Sequence, residues 1–113
     1  MKPINSETNR KQELIAKRLE QYRTYQTMLA LRDQPVRASD RVLIGMRVRE
    51  IEREVRALPV GRERLLLELH YFEGHSIERC AELMYISRAT AFRVRRRAFA
   101  LLSENEQRRA IHA

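Results

Sequence analysis

A chain of 113 residues has room for one domain, or for a small domain with an accessory helical segment. Its 43% hydrophobic content allows only a thin core, and with 34% charged residues and a mean hydropathy of −0.58 every element must be amphipathic; no apolar run approaches the roughly 20 residues of a membrane span. The net charge of +8, carried by arginine far more than by the three lysines Lys2, Lys11 and Lys17, puts nucleic acid first among partners and an anionic membrane surface second.

Residues 1–5 read as loose, and MKPINSETNRK lacks the apolar centre of a secretory signal, so a cytoplasmic location is expected. Cys80 is the only cysteine and cannot form an internal disulfide, which fits a reducing compartment. From Ser6 to about Arg32 no glycine or proline intervenes. Ile15, Leu19, Tyr22 and Leu29 recur there at helical spacing, with Gln26 in the vacant slot. Asp33-Gln34-Pro35 breaks this first helix, because proline cannot continue it and disfavours the helical conformation in the residue before.

Ser39 or Asp40 is expected to cap a second helix that runs to Leu58. Its apolar residues Ile44, Val48, Ile51, Val55 and Leu58 are spaced 4-3-4-3, a heptad seam. Two such helices on a short link fold most simply as an antiparallel hairpin over residues 1–58. The same seam can also pair two chains, and the sequence leaves both arrangements open.

Pro59 fits the first position of a third helix, which carries Leu65, Leu66, Leu69 and Phe72 to about Glu73 and stops at Gly74. Ser76 caps a short fourth helix, Ile77 to Met84, with Glu78 in its first turn. After Tyr85-Ile86, Ser87 caps a fifth helix spanning Arg88 to Leu102. Residues 59–104 then form one unit and 105–113 a tail. Apolar residues never alternate cleanly, so no strand is expected. The fold class is all-α, an N-terminal antiparallel helical hairpin followed by a three-helix helix-turn-helix unit.

A short helix, a three-residue connection and a longer basic helix make up a helix-turn-helix, whose second helix enters the major groove. Ala81 is small where the two helices must approach, and Val94 supplies the matching contact. On a wheel centred on Val94, the residues Ser87, Thr90, Ala91, Ala98 and Leu101 gather on the buried side. Arg88, Ala89, Phe92, Arg96 and Phe99 lie opposite, with Arg93, Arg95 and Arg97 on the flanks. The stretch SRATAFRVRRRAFALL holds no acid.

The stretch ALPVGRERLLLELHYFEGHSIERCAELMYISRATAFRVRRRAFALL resembles the fourth region of bacterial sigma factors. More narrowly, it resembles the phage and prophage transcriptional regulators of the ArpU and RinA type. Leu58-Pro59, the helix from Arg64 to Tyr71, Phe72-Glu73-Gly74, Ser76-Ile77-Glu78, Ala81, Ile86-Ser87 and Thr90 through Ala98 carry the likeness. The hairpin agrees only in layout. The resemblance implies a cytoplasmic DNA-binding protein that acts at promoters without enzymatic activity. By position, Arg88, Ala89, Phe92 and Arg93 become base-edge contacts, and Arg96 and Arg97 contacts to phosphates or outer bases. Ser87 can donate its hydroxyl to a phosphate while capping, and Arg62 and Arg64 can brace the backbone beside the groove. Phe99 lies beyond the groove and is expected to bury against the hairpin or across a dimer contact. Tyr71 and Phe72 read as core. Tyr85 stands where such proteins often carry glycine, and a non-glycine residue held left-handed costs about 1 kcal/mol.

His70, His75, Cys80 and Glu82 invite a metal reading, but a structural zinc site needs four ligands in close pairs and only the two histidines approach that spacing. No metal, cofactor or enzymatic activity is expected, since no nucleophile triad, glycine-rich phosphate loop or paired carboxylates occur. Three accounts remain. In the first, a sequence-specific regulator binds double-stranded DNA as a homodimer, with the hairpin serving dimerisation or RNA polymerase. In the second, a small terminase-like packaging subunit forms rings on DNA. In the third, an interaction module docks its basic helix on an acidic partner such as RNA polymerase.

Overall fold

The computed structural model describes residues 6–31 and 37–112. The loose N-terminus and the Asp33-Gln34-Pro35 break expected from the sequence lie outside them. Helix α1 (Ser6–Ala30) runs antiparallel to α2 (Ala38–Arg56). The two are tied by Arg18 to Glu54 at 2.7 Å and to Glu50 at 3.1 Å, and by Arg41, which donates to the carbonyl of Leu31 at 3.1 Å. The heptad seam therefore closes within one chain. Val48, Ile51, Val55 and Leu58 are buried with Ile15, Leu19 and Tyr22, and Ile44 packs half-buried toward the linked end of the hairpin. Gln26, in the vacant slot of α1, remains exposed and donates to the Tyr22 hydroxyl at 2.6 Å.

The start of α2 corrects the expected cap. Arg37 occupies the N-cap without a side-chain hydrogen bond, and Ser39 and Asp40 fall inside the first turn. Asp40 still contributes there by facing the positive end of the helix.

The link after α2 holds Pro59 outside any helix, and α3 (Arg62–Leu67) begins behind Gly61 rather than at the proline. The third helix then widens into a π-helical turn, Glu68–Phe72, instead of continuing as α-helix to Glu73. Bonds from i to i+5 stack residues four and five apart. Tyr71 and Phe72 thus both come to the side of Leu67 that meets α1, where the Phe72 ring lies 4.8 Å from that of Tyr22. Gly74 follows at φ +80°, the left-handed conformation that the stop required.

Helix α4 (Ile77–Met84) and helix α5 (Arg88–His112) complete the chain. The expected tail at 105–113 is corrected: α5 stays helical through His112, because Leu102 and Ser103 are buried and Arg109 reaches Glu54 at 3.7 Å. The described residues contain no strand and no helix long and apolar enough to cross a membrane.

Two clusters hold the fold. The first joins the hairpin to Leu67, Tyr71, Ala98, Phe99 and Leu102; the second gathers Leu66, Ile77, Cys80, Ala81, Ala91 and Val94. Each buried aliphatic or aromatic side chain contributes about 1.5–3 kcal/mol. Adjacent Leu66 and Leu67, both 0% exposed, serve different clusters and so link the hairpin side to the helix-turn-helix side.

Candidate nucleic-acid interface

Ser76 caps α4 as its position suggested, accepting from the Arg79 amide at 3.0 Å. The apolar face of α4 brings Ala81 and Cys80 against Ala91 and Val94 of α5, so the small residue does mark the close approach. Burial pushes the Cys80 thiol up.

The turn between α4 and α5 resolves the missing glycine. Tyr85 adopts φ 56°, ψ 42°, and the Ile86 amide donates back to the Ala81 carbonyl at 3.0 Å, a closure that needs a left-handed residue. The geometry is the one glycine favours, held here by a tyrosine whose ring is 95% exposed. Tyr85→Gly should therefore stabilise the protein by about 0.5–1 kcal/mol, after the entropic cost of glycine is offset. Thermal unfolding checks this; an unchanged or lower midpoint would mean that the turn carries no strain.

Ser87 begins α5, accepting from the Thr90 amide at 3.1 Å and donating to the Thr90 hydroxyl at 2.8 Å. It is exposed at the N-terminus of a long helix, where backbone N–H groups favour an anion. Arg88, Ala89, Arg93, Arg96 and Arg97 are all exposed along the following turns. Arg93 is steadied by donating to the Thr90 hydroxyl at 3.2 Å.

The helix itself carries no acid in this stretch, but two acids reach it from neighbouring elements. Glu78 of α4 lies 3.2 Å from Arg88, and Glu63 of α3 lies 3.0 Å from Arg97. Sequence reasoning assigned Glu78 only to the dipole of its own helix and missed both pairings, which depend on how α3 and α4 pack against α5. Both arginines remain about 70% exposed in these pairs. Such pairs contribute about 0–1 kcal/mol and are readily exchanged for another anion. Arg96 has no ion pair among the described residues.

Both phenylalanines stand opposite the core stripe on the wheel, and Phe99 buries against the hairpin as expected from its place beyond the groove. Phe99 is 7% exposed and belongs to the cluster shared with the hairpin, because α5 is covered on a second side once α1 packs against it. Phe92 is half-buried against the second cluster, with the guanidinium groups of Arg88 and Arg95 at 5.6 and 5.2 Å from its centroid. Arg95 lies along both rings, its Nε buried without a hydrogen-bond partner. It also opposes, by its charge, the upward push that burial gives the Tyr71 phenol. Arg95 thus packs with its stem and stays out of the outward face. Of the bracing candidates, Arg62 is exposed while Arg64 is engaged by Glu68 at 3.1 Å.

Of the residues that raised the metal reading, His70, His75 and Cys80 meet at the loop before α4, while Glu82 pairs with Arg79 at 2.9 Å. His70 Nδ1 lies 2.6 Å from the His75 carbonyl oxygen, to which the Cys80 thiol also points at 3.9 Å. Among the described residues no three His, Cys, Asp or Glu side chains come together to hold a metal. Comparison of the chain with protein-family models, with curated proteins and with solved structures gives no match.

Proposed function

We propose that the protein is a sequence-specific regulator of transcription, of the kind phages carry, that binds double-stranded DNA by setting the first turns of α5 into the major groove. One observation carries the reading: α4, a tight left-handed turn and α5 present Arg88, Arg93, Arg96 and Arg97 to solvent beyond a capped helix N-terminus. An outward helix face of this kind matches the geometry by which a recognition helix reads base edges. Arg88 and Arg93 lie nearest the N-terminus and are assigned to base edges, where an arginine bonds guanine O6 and N7 together. Ala89 can meet a thymine methyl. Phe92, half-buried, holds the Arg88 guanidinium in place more than it reaches DNA itself. Arg96 and Arg97 meet phosphates, Arg97 by exchanging Glu63 for the DNA backbone. RNA polymerase remains the proposed partner of the hairpin, and a homodimer the proposed assembly.

Selection from random duplexes near physiological salt tests this, with the retained pool sequenced. A sharp enriched motif is expected. Arg93→Ala should weaken binding to it by about 1–3 kcal/mol and relax one position. Arg96→Ala should weaken all sequences alike and lower the salt slope by about 1. A motif that survives both Arg88→Ala and Arg93→Ala would overturn the assigned face. Retention without enrichment would favour packaging or general coating of DNA, and no retention would favour an acidic protein partner.

A further inference from the structure

Arginines also converge at the opposite end of α5. The C-terminal turns of α2 and α5 border an open cleft of about 340 Å³ lined by Arg53, Glu54, Ala57, Asn105, Arg108 and Arg109. Three arginines and a single carboxylate contribute to its lining. That carboxylate is already engaged, since Glu54 lies 2.7 Å from Arg18 and 3.7 Å from Arg109. Arg53 and Arg108 have no ion pair among the described residues. The negative ends of α2 and α5 together offset about one elementary charge, less than the two unpaired guanidinium charges. The cleft therefore keeps a positive excess between two unpartnered arginines, with the Asn105 amide as a further donor.

We propose that this cleft binds a phosphate group, with Arg53 and Arg108 closing on it from α2 and α5. Guanidinium forks match phosphate oxygens in pairs, and the alkyl stems with Ala57 form the walls. The site is separate from the recognition face. Arg108 lies fifteen residues after Arg93 on one helix, about 22 Å along its axis, which is farther than the roughly 12 Å width of a major groove. A phosphate here belongs to the backbone of a second DNA segment, which the protein would then bridge to the first, or to free inorganic phosphate. The binding itself stands whether or not α5 reads DNA.

Titration of the full chain with inorganic phosphate, followed by NMR at fixed ionic strength with chloride as the control, tests the site. Saturable shifts confined to the Asn105 side-chain amide and to the Nε–H groups of Arg53, Arg108 and Arg109 are expected. Arg53→Ala with Arg108→Ala should weaken this binding about tenfold or more. Both residues are exposed, so unchanged helical circular dichroism should confirm the fold of the variant. Shifts that grow linearly, or that spread evenly over the arginines of the chain, would overturn the proposal, as would a variant that binds phosphate like the parent. A second arm separates the sources. If the double variant loses the ability to join two labelled duplexes while retaining its affinity for one, the phosphate is that of a second DNA segment. If joining is absent from the parent as well, it is free phosphate.

Discussion

Replacing Phe99 with alanine is expected to lower the unfolding free energy by about 3–5 kcal/mol. The ring is 7% exposed and packs in the cluster that holds Ile15, Leu19, Val55 and Tyr71, so its removal opens a cavity between α5 and the hairpin. The loss also removes a face on which the Arg95 guanidinium rests at 5.9 Å, leaving an arginine whose Nε already lacks a hydrogen bond with less to pack against. Because α5 is one helix from Arg88 to His112, the contact that fixes its middle also fixes the direction in which its arginine-rich start points. Urea unfolding followed by circular dichroism measures the effect, with Phe92→Ala as the comparison. Phe92 is only half-buried, and its loss should cost less than half as much. Equal costs for the two rings would mean that the hairpin does not grip α5 through Phe99.

What the sequence made legible followed from signals local to one element. The spacing of Ile44, Val48, Ile51 and Val55 and the caps at Ser76 and Ser87 are each set within a few residues, and the structure keeps all of them. The stop at Gly74 is equally local and also holds. The expectations that changed depended on other elements. Nothing within Glu68–Phe72 announces a π-helical turn; it arises because Leu66 must enter one cluster while Leu67, Tyr71 and Phe72 face α1. The burial of Phe99 against the hairpin, expected from its place beyond the groove, does hold, with α1 supplying the covering side. The continuation of α5 past Leu102 rests on its packing against the hairpin, and the lack of glycine and proline after Gly74 merely permits it.

The candidate site divides in the same way. Which arginines lie outward on α5 followed from periodicity, whereas the pairing of Arg88 with Glu78 and of Arg97 with Glu63 needed the packing of three helices. Those pairings bear on the proposed chemistry. Acids that hold exposed arginines weakly fix their positions before a ligand arrives, at a cost of about 0–1 kcal/mol each when the pair is broken. Binding then exchanges one anion for another and need not order a free side chain, which lowers the entropic penalty of capture.

The hairpin should lose stability steeply in alkali, and Tyr22 should account for much of the slope. Its phenol donates to Glu52 at 2.9 Å and accepts from the Gln26 amide at 2.6 Å, with the residue 3% exposed. Burial, then the hydrogen bond to Glu52 and the charge of that carboxylate, pushes the phenol from its ordinary 10 up to about 12, against smaller opposing effects of Gln26 and Arg56. The folded protein therefore keeps a proton that the unfolded chain gives up at lower pH. Stability from this group is complete below pH 10 and is lost as the pH rises from 10 towards 12. The full effect is on the order of 2–3 kcal/mol. Tyr22→Phe should cost about 1 kcal/mol at neutral pH, because Glu52 keeps Arg56 at 3.3 Å and Gln26 is free to turn to water. Its unfolding free energy should then fall less steeply than that of the parent across this window, and the two profiles should converge or cross. Some slope will survive in the variant, since burial also raises the Tyr71 phenol. Parallel profiles would show that the Tyr22 proton is not held by the fold, and that the contact between Tyr22 and Glu52 contributes nothing to closing the hairpin.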